Sequence, residues 1–167
     1  MCVVYLSQLD DCIWNLLIKF AGGTDAFTFV CMRDTELKRK KADALYSVYK
    51  KGLQEGRFSS LYDAGRSISR SPAPCFFISA KRASLLIGRI SARVSLIGLN
   101  DSQRRMAWQL WRNYQEYLAA HPDNTLSRER ILEMLVDEPA PEFYISTDGA
   151  RRLLCEQIRK TRKKMGW

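Results

Sequence analysis

The chain has 167 residues, of which 46% are hydrophobic and 27% are charged, and its formal net charge is +9. This hydrophobic content suffices for a globular core, which excludes a wholly disordered chain. A membrane-spanning helix needs ~18 uninterrupted apolar residues. The most apolar stretch, Cys12 to Phe20, is broken by Asn15 and Lys19. No Lys or Arg precedes Lys19, which argues against a signal peptide.

Five cysteines are spread along the chain without any Cys-x-x-Cys pair: Cys2, Cys12, Cys31, Cys75 and Cys155. A disulfide scaffold or a structural zinc site would cluster them. The spacing instead predicts reduced, mostly buried thiols in a cytoplasmic protein.

An apolar N-terminal segment covers residues 1–31. Ser7 with Asp10 can start a helix that ends at Gly22-Gly23, and its apolar residues are Leu9, Ile13, Leu16, Leu17 and Phe20. The run Phe27–Val30 predicts a short strand or an apolar linker. We expect residues 1–31 to cover the core of the remaining chain or to form a homo-oligomer interface. Met32, where the charged part begins, is a second candidate translation start.

The remaining chain is predicted to be a tandem repeat, with copy 1 at residues 32–100 and copy 2 at residues 101–167. Aligning Ser71–Ile87 with Glu138–Leu154 without gaps gives eight identities in seventeen positions. Ordinary residue frequencies would give about one. Upstream, at a shift of 65 residues, four residues of copy 1 have identical partners in copy 2: Arg39, Ala42, Leu45 and Tyr49 match Arg104, Ala107, Leu110 and Tyr114.

Each copy is predicted to contain three helices. The first pair spans about Thr35–Lys51 and Ser102–Ala119, and the second pair about Ser59–Ser69 and Ser127–Asp137. Prolines stop the second helices, and Ser79 and Ser146 then cap third helices that run to about Val94 and Lys163. The predicted fold is mainly α: two three-helix repeats that share a core or pack side by side, plus the N-terminal segment.

Apolar residues at helical spacing mark the expected core of this fold. The first helices contribute Ala42, Leu45, Tyr46 and Tyr49, and the second helices Leu61, Ala64, Ile68, Ile131, Met134 and Leu135. Phe76, Phe77, Phe143 and Tyr144 could stack on unpaired bases. Repeated aromatics in an apolar run are more often core, so core is the preferred interpretation for them and for Trp108 and Trp111.

The positive charge is concentrated in two groups. No acidic residue lies between Ala64 and Asn100, an interval that contains Arg66, Arg70, Lys81, Arg82, Arg89 and Arg93. Arg82, Arg89 and Arg93 fall at spacings that allow one shared helical face. Lys81 and Arg82 lie in the first turn of the third helix, where the helix dipole disfavours cations unless an anion binds. Recognition helices commonly meet DNA bases from this turn.

The second group is Arg159, Lys160, Arg162 and Lys163, near the end of the last helix. These cations either bind phosphates or only stabilise the negative end of the helix dipole at the helix C-terminus. The second helix of copy 2 and the loop after it are acidic. These carboxylates either mask the basic residues of copy 1 or face a protein partner.

No catalytic motif is present. His121 is the single histidine and lies beside Pro122 in an expected loop. Neither a Ser-His-Asp set, nor a phosphate-binding glycine loop, nor a metal-ligand spacing can be found. We therefore expect a protein without enzymatic activity, metal or other cofactor.

The three-helix unit resembles a helix-turn-helix module, in which the second helix braces the third and the third enters the major groove. The link Arg70–Ile78 has about nine residues, whereas the DNA-binding form uses a turn of three or four. The leading hypothesis is a cytoplasmic, regulatory or accessory protein that binds nucleic acid, DNA rather than RNA. The alternative is a protein-interaction adaptor or an oligomeric structural protein.

Overall fold

The computed structural model describes the backbone of residues 24–166 and the side chains of residues 35–166. Six helices lie in this part of the chain: α1 (Thr24–Gln54), α2 (Leu61–Ser69), α3 (Ala80–Ser91), α4 (Asp101–Ala120), α5 (Arg128–Leu135) and α6 (Thr147–Lys164). The β-type pairing in these residues is one isolated bridge between Ala73 and Ala140. The fold is therefore mainly helical, as predicted, and residues 37–166 belong to one compact unit.

Short polar side chains begin five of these helices. Each side-chain oxygen accepts a hydrogen bond from the backbone amide three residues later, and the capping residues are Ser60, Ser79, Asn100, Ser127 and Ser146. Such a bond satisfies an amide that the helix leaves unpaired at its start. The expected caps at Ser79 and Ser146 are confirmed.

The helix predicted between Ser7 and Gly22, and the proposed self-association through residues 1–31, lie outside the residues whose side chains are described. Helix α1 begins at Thr24 and includes Phe27–Val30, so the expectation of a strand or linker there is wrong. Four apolar residues are too few to distinguish the period of a strand from that of a helix, and their β-propensity is a weak preference.

The two copies exchange their third helices. Helix α3 of copy 1 packs on α4 and α5 of copy 2, whereas α6 of copy 2 packs on α2 of copy 1. Gly65 permits close approach in the second pair, because a Cβ there would lie 3.1 Å from the carbonyl oxygen of Thr147. Helix α1 joins α6 through a 2.8 Å hydrogen bond from Gln157 to Asp43. Each half of the fold therefore combines helices from both copies.

This exchange differs from the helix-turn-helix arrangement that the sequence predicted, in which the second helix of each copy packs against the third helix of the same copy. The second helix that packs against α3 is α5 of copy 2, and ten residues, 70–79, separate α2 from α3. A link of that length lets the chain cross to the other half, whereas a turn of three or four residues would hold consecutive helices together. The resemblance therefore ends at the order of the helices.

The segments that cross between the halves pair around a local twofold axis. We call residues 70–79 the first arm and residues 136–146 the second arm. Ala73 and Ala140 exchange two backbone hydrogen bonds of 2.9 Å. The aromatic rings also pair reciprocally, Phe76 with Tyr144 at 5.8 Å and Phe77 with Phe143 at 5.9 Å between centroids. The repeated Pro-Ala-Pro tract thus places both copies in one symmetric crossing.

Buried side chains from both copies form one cluster around this crossing. Those most completely enclosed are Leu45, Ile68, Phe76, Ile87, Leu110, Ile131, Leu132, Phe143 and Leu154. The core assignment of Phe76 and Phe143 is confirmed. Met134 and Trp108 are exposed, and for them the core prediction is wrong. The buried stripe of α5 runs through Ile131, Leu132 and Leu135 and leaves Met134 outside it.

Of the cysteines whose side chains are described, Cys75 is half-buried and Cys155 is exposed, and both are free thiols. The exposure of Cys155 departs from the expectation of mostly buried thiols. Burial raises the pKa of the Cys75 thiol, and the carboxylate of Asp137 raises it further. Among the described helices, none is both long and apolar enough to cross a membrane.

Candidate nucleic-acid interface

The first turn of α3 presents cations to solvent. Lys81 and Arg82 are exposed, and the first turn contains no acidic residue. The Ser79 hydroxyl accepts the backbone amide of Arg82, which begins the helix with its positive dipole end beneath these two side chains. Neither side chain forms an ion pair in the part of the chain that the structure describes. This turn is therefore an open anion-attracting surface.

The remaining predicted cations of this helix are placed differently. Arg89 is half-buried, and its guanidinium donates to the carbonyl oxygen of Ser95, so it is partly engaged with the loop after the helix. Helix α3 ends at Ser91, and Arg93 follows in a left-handed conformation with φ 55°. The expectation that Arg93 shares a helical face with Arg82 is therefore wrong, although its side chain is exposed.

Arg66 and Arg70 lie in the other half, at the end of α2, and both are exposed. Because α2 packs on α6, Arg66 belongs with the cations of α6 rather than with those of α3. Arg70 caps α2 and begins the first arm, from which it reaches the surface of α4. The acid-free interval of the sequence is thus divided between two faces of the fold.

The cations of α6 form the second group. Arg159, Arg162 and Lys163 are exposed and form no ion pair with the described residues. Lys160 pairs with Glu156 at 2.7 Å, and this contact lowers the pKa of the glutamate. Arg162, Lys163 and Lys164 occupy the last turn, where positive charge also complements the helix dipole.

Arg159 lines a cleft on this half together with residues that the predicted nucleic-acid-binding group does not include. The cleft lies between α2 and α6, and its other lining residues are Leu61, Tyr62, Arg151, Arg152, Cys155 and Glu156. Arg151 contacts Asp148 at 3.5 Å, whereas Arg152 forms no ion pair with the described residues. The exchange of helices creates this cleft.

No ion pair joins a carboxylate of copy 2 to the predicted cations of copy 1 among the residues whose side chains the structure describes; these cations are Arg66, Arg70, Lys81, Arg82, Arg89 and Arg93. The ion pairs found there join Arg57 with Glu55 inside copy 1, and in copy 2 they join Arg104 with Asp101, Arg105 with Glu142, Arg130 with Glu133, Arg151 with Asp148 and Lys160 with Glu156. Every one of these pairs stays within one copy. Masking through ion pairs is therefore not seen among these residues.

A second cleft carries arginines that the sequence-based prediction missed. It lies between α4 and the second arm and has a volume of about 640 Å³; we call it the Trp108 cleft. Its lining residues are Arg70, Asp101, Arg104, Arg105, Trp108, Gln109, Arg112, Pro141, Glu142 and Tyr144. Positions 104, 105, 108 and 112 recur at helical spacing, which was the signal in the sequence that could have revealed this surface.

Tyr144 lines the Trp108 cleft on the side of the second arm. It is a buried residue with a positive φ of 47°. Burial and the neighbouring Glu142 raise the pKa of its phenol to about 12, and Arg105 and Arg112 oppose that rise. Tyr144 is therefore neutral at physiological pH and adds no charge to the cleft.

His121 is exposed at the end of α4, with Nδ1 2.9 Å from the carbonyl oxygen of Tyr117. No group of three His, Cys, Asp or Glu side chains within the described region is arranged to hold a metal ion. No protein-family model, no curated protein and no solved structure matches this chain.

Proposed function

We propose that this chain is a non-enzymatic nucleic-acid-binding protein that contacts phosphates through the exposed cations of α3 and α6. The observation that carries the proposal is that Lys81 and Arg82 lie unpaired at the start of α3, where the helix dipole already attracts anions. A phosphate at this position satisfies both the cations and the dipole. Each neutralised phosphate also releases counterions, which favours binding.

DNA is favoured over RNA because Lys81 and Arg82 are exposed in the first turn of a helix, the position from which many DNA-binding helices contact base edges in the major groove. The A-form major groove is too narrow for side chains to read in this way. The cations of α6 lie on the half built from α2 and α6 and supply phosphate contacts without base specificity. A regulatory or accessory role fits such binding.

The test compares two charge-reversal variants by fluorescence anisotropy with a labelled duplex of mixed sequence. The first variant carries Lys81→Glu and Arg82→Glu. Acidic residues at a helix N-terminus stabilise it, so we expect this variant to remain folded. The control carries Arg57→Glu and Arg130→Glu, which changes the net charge equally at arginines that already pair with carboxylates.

We expect the affinity for DNA to fall at least tenfold in the first variant and much less in the control. Both variants weaken the overall positive potential of the protein equally, but only the first also removes direct phosphate contacts. Circular dichroism and thermal unfolding verify that both variants are folded. Equal losses in the two variants, or no binding of the unaltered chain to DNA or RNA at low ionic strength, would overturn the proposal.

A second candidate function is protein interaction, because apolar side chains are exposed next to the cations of α3. Leu85 lies on α3, and Val94 and Ile97 lie in the loop that follows, each with more than half of its surface in solvent. Such residues can form the apolar part of a protein interface. Size-exclusion chromatography with light scattering tests this alternative: a stable oligomer without affinity for nucleic acid favours it.

A further inference from the structure

We infer that the Trp108 cleft binds an unpaired nucleotide of a nucleic-acid strand, with the base stacked on the Trp108 indole and the phosphate held by Arg70 and Arg112. This inference rests on the proposed nucleic-acid binding and names a feature of the substrate, a single-stranded segment. It is independent of the first turn of α3, since the two surfaces share no residue.

The first observation is the exposure of Trp108. The indole lies on α4 with 54% of its surface in solvent, whereas tryptophan is on average one of the most buried residue types. Arg104, Arg105 and Arg112 follow the same stripe of the helix, at spacings of three or four residues from Trp108. An indole exposed in a cationic surrounding matches the stacking platforms of single-strand binding proteins.

The second observation is the distribution of charge in the cleft. Arg104 pairs with Asp101, and Arg105 donates to Glu142 at 2.8 Å. Arg70 and Arg112 have no such carboxylate partner among the described residues. The cleft lining holds four arginines against two carboxylates, so its net charge is positive and two guanidinium groups are free to bind an anion. Guanidinium groups bind phosphate oxygens in bidentate geometry.

The third observation is that the equivalent positions of the opposite copy lack these residue types. The residues equivalent to Arg70, Trp108 and Arg112 in the other copy are Asp137, Asp43 and Ser47. Asp43 instead accepts a hydrogen bond from Gln157. Since the same scaffold folds with acidic and small residues at these positions, the tryptophan and the arginines are not required by the fold.

The ligand must be an unpaired nucleotide, because the faces of a paired base are covered by its neighbours in the duplex. A volume of about 640 Å³ lies within the range of natural ligand sites. The cleft is open to solvent beside α4, so an internal nucleotide of a long strand can bind there, and the strand need not enter by one of its ends. A free nucleotide offers the same base and phosphate, and the experiment below separates the two sources.

The experiment measures the tryptophan fluorescence and the anisotropy of the full chain with four probes: oligo(dT), dTMP, inorganic phosphate and a blunt duplex. Stacking of a base on Trp108 should quench its fluorescence. Trp108→Ala should weaken oligo(dT) binding roughly 5- to 150-fold, the range measured for loss of one stacked base. This substitution removes an exposed side chain and leaves a good helix former, so the variant should fold.

The matched control is Trp108→Phe, which retains a stacking ring but removes the indole. It should retain most of the affinity for oligo(dT) and lose most of the quenching. Arg112→Ala should weaken oligo(dT) binding, and Arg112→Lys should restore part of it, since the charge but not the bidentate geometry returns. Duplex binding should be changed much less by any of these substitutions.

Four outcomes contradict the inference. If oligo(dT) binds equally well to the unaltered chain and to Trp108→Ala, the cleft is not a stacking site, although nucleic-acid binding through α3 can still stand. Trp108-dependent binding of dTMP without binding of oligo(dT) assigns the cleft to free nucleotides. Equal competition by inorganic phosphate shows an anion site without a base. Absence of any nucleic-acid binding removes both this inference and the proposed function.

Discussion

Lys41 is a half-buried cation whose removal should stabilise the protein. Its Nζ lies 3.4 Å from the carbonyl oxygen of Tyr144 and 5.8 Å from the centroid of the Phe77 ring. Burial lowers its pKa from 10.5 to about 8, against a smaller opposing effect of the Cys75 thiol. Copy 2 has Met106 at the equivalent position. The substitution Lys41→Met therefore places a residue that the same scaffold already accepts.

The magnitude follows from the difference in proton affinity between the folded and unfolded states. A pKa near 8 in place of 10.5 means that charged Lys41 costs the folded state about 3 kcal/mol. The substitution also removes the hydrogen bond to Tyr144, which contributes about 1 kcal/mol. We expect Lys41→Met to raise the free energy of unfolding by about 2 kcal/mol at neutral pH.

The difference in stability between Lys41→Met and the unaltered protein should also change with pH, in a direction that the lowered pKa of Lys41 determines. Between pH 8 and 10.5 the folded protein has released the Lys41 proton while the unfolded chain still holds it. The unaltered protein therefore gains stability from this residue as pH rises. The advantage of the variant should shrink over that window, vanish before its upper end and then reverse to a deficit of about 1 kcal/mol, because the hydrogen bond to Tyr144 is still missing.

Urea denaturation of both proteins at about pH 7 and about pH 10 measures these differences. Lys38→Met on the same helix is the control, because Lys38 is exposed and its substitution should change stability by less than about 0.5 kcal/mol. If Lys41→Met destabilises the protein at neutral pH, or if its advantage is independent of pH, the reasoning is refuted.

Three core predictions are checked by denaturant titration. Gly52→Ala should destabilise by about 1–3 kcal/mol, since the new Cβ would lie 2.1 Å from the Phe58 ring. Gly88→Ala should stabilise α3 by up to about 1 kcal/mol, because its new Cβ meets only the flexible end of Arg128 at 3.0 Å. Phe143→Ala should cost about 3–5 kcal/mol, since this ring is 1% exposed. The reverse order of the two glycine variants, or a neutral Phe143→Ala, would contradict the packing described.

Local signals in the sequence predicted the helices well. Serines followed by helical periodicity placed the starts of α3 and α6 within one residue, because the capping bond is made entirely within the helix. The Pro-Ala-Pro tracts correctly separated the helices, since proline removes a backbone donor wherever it lies. Helix caps and proline breaks depend only on residues a few positions apart in the chain, so they can be predicted from the sequence alone.

The exchange of the third helices between the copies could not be predicted from such local signals. Whether α3 packs on α2 or on α5 depends on the direction in which residues 70–79 leave α2, and each second helix offers a face with buried apolar residues. The same limit explains Trp108. Trp108 lies next to the buried Ala107 and close to the buried Leu110, which made a core assignment reasonable. Neighbouring residues of a helix point in different directions, however, and Trp108 points to solvent.

The most direct test of the proposed function is the salt dependence of duplex binding by the unaltered chain. If Lys81, Arg82 and at least one exposed cation of α6 contact phosphates, the logarithm of the association constant should fall linearly with the logarithm of salt concentration, with a slope of roughly −3 or steeper. A flat salt dependence, or no measurable binding at low ionic strength, would contradict the assignment of these cations to a phosphate backbone.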